Sequence, residues 1–115
     1  MGKSLLQLYE YNVWANKQIC NRLKELPKDV YRQEVKSVFS SISNALAHIY
    51  LSDLGWIEVY LMKTSVSELI PHVVNHGTYH RGNITVMLRQ IGYASITTDY
   101  GLLFIFKNKG TVTED

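Results

Sequence analysis

Three of the four histidines in this 115-residue chain lie in one short stretch, spaced four residues apart at His72, His76 and His80. In an α-helix this spacing places the side chains on roughly one face, one turn above the next. The apolar residues around them continue that face in steps of three and four: Leu69, Val73, Ile84, Met87 and Ile91. His76 and His80 therefore interrupt a stripe that is expected to face the core. Because a buried polar group without a partner costs about 1–3 kcal/mol, two such imidazoles favour a shared metal ion.

The overall composition limits the classes of protein to consider. With 46% hydrophobic and 19% charged residues, the sequence predicts one globular domain, residues 1–115, with one core. A net charge of +2 with interspersed acids and bases does not indicate a nucleic-acid binder. No apolar run approaches the roughly 18 residues of a membrane helix. The single cysteine, Cys20, excludes an internal disulfide, is expected in the core and fits a reducing cytoplasm.

Helical periodicity predicts three long helices, over residues 4–26, 41–62 and 66–91. Pro27 ends the first helix, because proline disfavours helical backbone in the residue before it. Gly92 is the natural C-cap of the third. These helices supply the elements on which the histidines lie.

Two further segments are less regular in pattern. Residues 27–39 are predicted to form a loop with a short extended or turn-like piece around Val30–Val38. The serines that follow, Ser40, Ser41 and Ser43, are candidate N-caps of the second helix. The apolar segment Tyr100–Phe106 fits either a short final helix or a strand-like packing arm.

The fourth histidine, His48, lies beside the apolar stripe of the second helix. The short connection at residues 63–65 makes the second and third helices antiparallel. At about 1.5 Å per residue, His48 lies roughly 24 Å back from this turn, and His76 and His80 lie roughly 18 and 24 Å beyond it. His48 alone would be interpreted as a core or boundary histidine, but its shared level with His76 and His80 predicts a three-histidine metal site. His72 lies two turns before His80 and is interpreted as a rim residue.

Several polar and small residues near this level allow two interpretations each. Asn12 and Asn16 are either a polar pair at the edge of the first stripe or partners that orient the histidines. Arg81 either pairs with a substrate carboxylate or anchors to a neighbouring helix. Gly77 and Gly82, inside the third helix, indicate close approach of a helix or ligand.

Three motifs in the expected order resemble the DinB-like (DinB/YfiT) family. His72–Asn83 looks like its last-helix signature, and Tyr11–Asn16 resembles its first-helix motif. Ala47–Ile49, followed by Asp53 and Trp56, resembles its second-helix motif. The resemblance implies an all-α, antiparallel (up-down-down-up) four-helix bundle with a long crossover. It also implies a divalent metal on His48, His76 and His80, and a homodimer.

The chain departs from that family between its second and last helices. Family members usually carry some tens of residues and a further helix there, whereas this sequence has only the Met62–Glu68 connection. The fourth helix is therefore expected to be short or absent. Either the protein is a short form or a mobile segment is missing; we favour the latter, because three helices would leave one side of the apolar stripes uncovered.

The proposed ligand set predicts an open site. Three neutral imidazoles leave at least one position for water or substrate, as in catalytic rather than structural zinc sites. Gly77 occupies the place where the zinc metalloprotease motif has its glutamate base, so a metal-activated thiol fits better. Three nitrogens do not fix the metal: zinc or nickel is expected first, and iron or manganese also accepts imidazole.

These features together predict a cytoplasmic, metal-dependent enzyme of the thiol-transfer class. The resemblance supports this expectation, since relatives include transferases and isomerases that depend on low-molecular-weight thiols. A metal-dependent hydrolase is the alternative within enzymes. A non-catalytic, metal-stabilised or stress-related bundle protein is the alternative outside them. The expected partners are a small-molecule substrate and a second copy of the chain, with no nucleic acid or membrane.

Overall fold

Every regular element is helical in the part of the chain that the structure, a computed structural model, describes: residues 2–63 and 65–103, with side chains from residue 4. The elements are α1 (Gly2–Lys24), a single-turn 3-10 helix (Val30–Arg32), α2 (Ile42–Lys63), α3 (Val66–Ile91) and a helical turn at residues 100–103. The predicted all-α class and the three long helices are confirmed. The helical option for Tyr100–Phe106 holds over residues 100–103, and the rest of that prediction lies outside the described residues. None of the described helices is long and apolar enough to span a membrane.

The helix ends follow the expected capping chemistry. The Ser41 hydroxyl accepts a hydrogen bond from the Asn44 amide at 3.1 Å, which caps the start of α2. At the end of α3, Gly92 adopts a left-handed conformation with φ of 108°, and its amide bonds the Leu88 and Arg89 carbonyls. Pro71 lies inside α3, and the helix continues past it without interruption to the histidines.

Helix α3 is the central element and packs against α2 on one side and α1 on the other, while α1 and α2 contact each other little. The shortest extent of the molecule is 19 Å, which is less than two helix diameters and fits one layer of helices. The third-helix stripe is correctly predicted, with Val73, Ile84 and Met87 buried. Cys20 was expected in the core but is exposed.

Two core clusters hold the layer together. The larger joins the end of α1, the 3-10 turn, the start of α2 and the end of α3; its buried members are Ile19, Val30, Ile42, Ala45, Ile49, Ile84, Met87 and Leu88. The smaller joins α1, α3 and the helical turn at residues 100–103, through Tyr11, Ala15, Val74 and Leu103. The three histidines lie at the end of the larger cluster that is nearer the α2–α3 turn, with His48 between Ala45 and Ile49 and His80 one turn before Ile84.

From Tyr50 onward, α2 carries apolar side chains on its outer side. Tyr50, Leu51, Leu54, Leu61 and Met62 fall on one side of the helix and are 48–78% exposed. We call these five residues the α2 apolar face. Because Ile42, Ala45 and Ile49 are buried on the opposite side, α2 is apolar nearly all round. A helix of that type is normally covered on both sides.

Candidate metal centre

Three imidazoles meet between α2 and α3, as the sequence spacing predicts. The ring centroids of His76 and His80 lie 4.5 Å apart, and that of His48 lies 5.2 Å from His76 and 4.6 Å from His80. One nitrogen of each ring lies within 4.8 Å of the corresponding nitrogen of the other two. The antiparallel pairing of α2 and α3 thus brings the three side chains to one level. Their role as metal ligands remains a prediction.

The spacing of the three nitrogens fits a single divalent ion after a small closure. Histidine nitrogens bind zinc at about 2.0–2.1 Å, so two nitrogens in a tetrahedral site lie about 3.4 Å apart. The separations here, up to 4.8 Å, exceed that distance by at most about 1.4 Å. Side-chain rotation alone is enough to close such a difference.

The site is closed at its base and open at one side. His80 is 8% exposed and His76 is half-buried, whereas His48 is exposed. Phe39 covers one flank, with its ring centroid 5.2 Å from His48 and 5.3 Å from His80. Tyr79 packs edge-on against His80 at 4.9 Å. A ligand would therefore enter from the side of His48.

Two polar side chains face the far nitrogens of the α3 histidines. His80 Nδ1 lies 2.9 Å from Asn83 Oδ1, within hydrogen-bond distance. His76 Nδ1 lies 3.7 Å from Asp53 Oδ1 of α2, and both atoms are buried without a hydrogen-bond partner. In each ring the remaining nitrogen, Nε2, is left for another ligand.

Burial dominates the ionisation of this pair in the metal-free protein. Desolvation lowers the pKa of His76 and the positive charge of His80 lowers it further, while Asp53 opposes both effects. Desolvation likewise raises the pKa of Asp53, and His76 opposes it. The lowered pKa of His76 favours the neutral imidazole, which is the form that binds metals.

His72 does not join the cluster, in agreement with its interpretation as a rim residue. It is half-buried against two aromatic side chains of α2. Its ring centroid lies 4.2 Å from that of Trp56, and its Nδ1 lies 3.3 Å from the Tyr60 hydroxyl. These contacts give His72 a packing role one turn away from the three histidines.

Arg81 points to the opposite side of α3, toward α1. Its Nη1 donates hydrogen bonds to Asn12 Oδ1 at 3.0 Å and Asn16 Oδ1 at 2.8 Å, and its Nη2 donates to Thr78 Oγ1 at 3.2 Å. The guanidinium also lies 5.5 Å from the centre of the Tyr11 ring. The anchoring interpretation of Arg81 is confirmed. The alternative in which Asn12 and Asn16 orient the histidines is wrong, because both amides bind Arg81 instead.

The two glycines of α3 have different surroundings. A Cβ on Gly77 would lie 2.7 Å from Arg81 Nη1 and 3.0 Å from Asn12 Oδ1, so the predicted close approach is confirmed there. Gly82 is exposed, and a Cβ there would have nothing within 4 Å. For Gly82 the predicted approach of a neighbouring helix is wrong, and the approach of a ligand stays a prediction.

Sequence reasoning missed Asp53 and Asn83 as residues of this site. Asp53 is noticeable as the acid that breaks the apolar stripe of α2, and a carboxylate in such a stripe needs a partner. Asn83 follows His80 by three residues, a spacing at which helical side chains meet. Neither pattern alone identifies which histidine is contacted.

The sequence model of the DinB family matches the chain in two pieces, residues 1–63 and 60–109. The pieces meet at the turn between α2 and α3. The family positions that have no counterpart here therefore fall at the connection where the chain was expected to be short.

A curated relative agrees with this match. Protein DinB of Bacillus subtilis (strain 168) is 46% identical over 169 aligned positions, which cover 95% of this chain and 98% of the relative. Since this chain has only 115 residues, more than fifty of those positions have no counterpart in it. No solved structure matches the chain. The family match and this relative both span nearly the whole sequence, and the chain belongs to the DinB family.

Proposed function

We propose that the protein binds one divalent metal ion on His48, His76 and His80 and uses it as a transferase acting with a low-molecular-weight thiol. The observation that carries the proposal is the convergence of three imidazoles from two helices, with nitrogens within 4.8 Å of one another. Packing of a hydrophobic core does not require three polar rings at one level. A shared ion satisfies all of them at once.

The chemistry of the donor set supports an open, reactive site. Three neutral nitrogens leave coordination positions free, and a bound divalent ion would lower the pKa of a thiol or water that joins it. The exposed edge of His48 gives access, while Phe39 packs against the flank formed by His48 and His80. Asp53 faces His76 Nδ1 rather than the open side, so it is poorly placed as a general base for water. This arrangement favours a thiol, which needs no separate base once it is bound.

A metal-dependent hydrolase is the second candidate, favoured by the same open position, which water can also occupy. In a non-catalytic protein the ion would serve only to hold α2 and α3 together. The half-open site distinguishes the enzymes from this last possibility, because structural zinc sites are closed and usually contain thiolates.

The single cysteine and the thiol chemistry fit the cytoplasm as the location.

The proposed metal site is tested by metal analysis of the purified protein. We expect about one divalent ion per chain, and none in a variant carrying both His76→Ala and His80→Ala. His72→Ala is the matched control, because it removes a histidine of the same helix that lies outside the cluster. Wild-type protein that takes up no divalent ion in a direct titration would contradict the proposal.

The thiol step is tested on the cobalt-substituted protein. Thiolate coordination to cobalt produces a charge-transfer absorption band, so added low-molecular-weight thiol should change the visible spectrum. Water coordination without any response to thiol would favour the hydrolase. If removal of the metal lowers only the stability and neither ligand alters the spectrum, the ion is structural.

We also propose that the protein is a homodimer that covers the α2 apolar face with a second copy. The support is that α2 is apolar on both sides and that this chain has no counterpart of the segment its relative carries beside α2. Light scattering should give twice the chain mass for the wild type. Leu54→Glu with Leu61→Glu should give a monomer, and a monomeric wild type at high concentration would contradict the dimer.

A further inference from the structure

The strongest unexplained feature outside the three imidazoles is a pair of facing polar atoms. Among the described side chains, three buried polar atoms have no hydrogen-bond partner: Asp53 Oδ1, His76 Nδ1 and Arg81 Nε. The first two face each other across the α2–α3 interface at 3.7 Å. An unpaired buried polar atom is costly, so two that lie this close are best explained by a contact completed in another state of the site.

We propose that Asp53 is the positioning residue for His76, accepting a hydrogen bond from Nδ1–H and thereby directing Nε2 toward His48 and His80. The inference rests on the proposed metal site and adds a residue to it. Metal-bound histidines almost always donate the other ring N–H to a carboxylate or carbonyl oxygen. That bond fixes both the tautomer and the orientation of the ring.

His80, the other histidine of the site on α3, already makes the kind of hydrogen bond that we propose for His76. His80 Nδ1 lies 2.9 Å from Asn83 Oδ1, so the side-chain oxygen fixes the proton on Nδ1 and leaves a lone pair on Nε2. The two α3 histidines thus have an oxygen acceptor on the same ring nitrogen. In His80 the acceptor comes from the same helix, and in His76 it comes from α2. Asp53 therefore also couples the position of α2 to the orientation of an α3 ligand.

Asp53 does not have the position of a fourth ligand. The nitrogens that share one location belong to His48, His76 and His80, and no Asp53 oxygen belongs to that group. Its Oδ1 faces Nδ1, the nitrogen of His76 next to the ring attachment. Closing a gap of 3.7 Å to a hydrogen bond needs a shift of less than an ångström. That shift is comparable with the movement that would bring the three ring nitrogens within bonding distance of one ion.

The experiment compares Asp53→Ala and Asp53→Asn with the wild type in zinc affinity, measured by competition with a chromophoric chelator. We expect Asp53→Ala to weaken binding about 10–100-fold, as for other partners of metal ligands. Asp53→Asn should lose less, because its amide oxygen can still accept the Nδ1–H bond. Glu58→Gln is the matched control, since Glu58 is an exposed acid on the same helix. Its affinity should equal that of the wild type.

A second measurement separates positioning from general structural support. Nitrogen-15 NMR of labelled histidine reports which ring nitrogen carries the proton. In the metal-free wild type the Asp53 carboxylate, 3.7 Å from Nδ1, should keep the His76 proton on that nitrogen, and in Asp53→Ala this preference should be lost while His80 keeps its own. X-ray absorption should show the same number of protein ligands on zinc in all three proteins.

Three results would overturn the inference. Unchanged zinc affinity and tautomer in Asp53→Ala would reject it while leaving the proposed metal site intact. Loss of one protein ligand from zinc in Asp53→Ala would make Asp53 a ligand and not a positioning residue. Wild-type protein that binds no divalent ion would reject the proposed function and this inference together.

Discussion

Two polar clusters lie on opposite sides of α3, and they differ in how fully the protein satisfies them. On the α1 side, Arg81 is 2% exposed and donates to three side-chain oxygens. On the α2 side, His76 Nδ1 and Asp53 Oδ1 are buried without partners, and three ring nitrogens face one location. The first cluster is largely satisfied within the protein, with only Arg81 Nε left without a partner, whereas the second leaves a group of facing nitrogens free to bind a ligand.

This difference indicates that the two sides of α3 have different roles. A buried cation that donates three hydrogen bonds holds two helices at a fixed distance, and losing a partner there is costly. A cluster with unsatisfied atoms costs stability until something binds. We therefore expect the Arg81 cluster to determine folding and the histidine cluster to determine ligand binding.

The largest expected effect is on stability, from Arg81→Met. The substitution leaves the Asn12 and Asn16 amide oxygens buried without their donor, so the free energy of unfolding should fall by about 3 kcal/mol. Asn16→Ala removes a single acceptor and should cost about 1 kcal/mol. Urea unfolding of the metal-free protein measures both, and the folded fraction of each variant should still bind metal. Stability equal to that of the wild type would show that the Arg81 cluster is not structural.

The reciprocal test uses His76→Ala. Because His76 Nδ1 has no hydrogen bond to lose, the metal-free variant should unfold with nearly the wild-type free energy. With zinc at a hundred times the dissociation constant, the wild type should gain about 2.7 kcal/mol, and the variant should gain nothing at that concentration. Thermal unfolding with and without zinc gives both numbers. A zinc-dependent gain that survives the substitution would place the ion elsewhere.

The histidine cluster was predictable because its geometry follows from helix spacing alone. Steps of four residues stack His76 and His80, and a short turn sets the level at which His48 meets them. The Arg81 cluster was only half predictable. Its anchoring role was anticipated, but the partners Asn12 and Asn16 depend on how α1 rotates about its axis, which the apolar pattern of α1 did not define.

Helix α1 shows why that rotation was missed. Tyr9 follows the helical period of the apolar residues of α1 but is 52% exposed, whereas Tyr11 and Ala15 are buried. Hydrophobicity alone does not predict which polar residues are buried. Asn12 looks like a surface residue in the sequence but is only 8% exposed. The outer side of α2 posed the opposite problem. Its apolar residues predict burial, yet in the described part of the chain they are exposed, which agrees with the family segment that has no counterpart here.

Two glycine substitutions sharpen the comparison with a smaller effect. Gly77→Ala would push a methyl group against Arg81 Nη1, which is fixed by two asparagines, so overpacking should outweigh the gain in helix propensity by about 1 kcal/mol. Gly82→Ala meets nothing within 4 Å and should stabilise the protein by about 1 kcal/mol. Urea unfolding of the two variants should therefore give shifts of opposite sign. If both substitutions stabilise the protein, the Arg81 cluster can accommodate an added methyl group without a cost in stability.

The smallest expected effect is a pH dependence confined to the histidine side of α3. Burial lowers the pKa of His76 below its ordinary value of 6.5 in the metal-free protein, so the unfolded chain binds that proton more readily than the folded one. The stability contributed by neutral His76 is therefore present above pH 6.5 and is lost as the pH falls through the lowered pKa. Asp53, whose pKa is raised above 3.8 by burial, acts in the opposite sense at lower pH, where its protonated form favours folding.

Urea unfolding of the metal-free protein at pH 7.5 and pH 5.5 isolates the His76 contribution. The wild type should be less stable at the lower pH, and His76→Ala should show a smaller difference between the two. Asn16→Ala should lower stability equally at both values, since burial lowers the pKa of Arg81 from an ordinary value far above this range and its asparagine partners do not titrate. An equal pH dependence in wild type and His76→Ala would assign the proton to another group. It would also weaken the view that the two sides of α3 respond to different conditions.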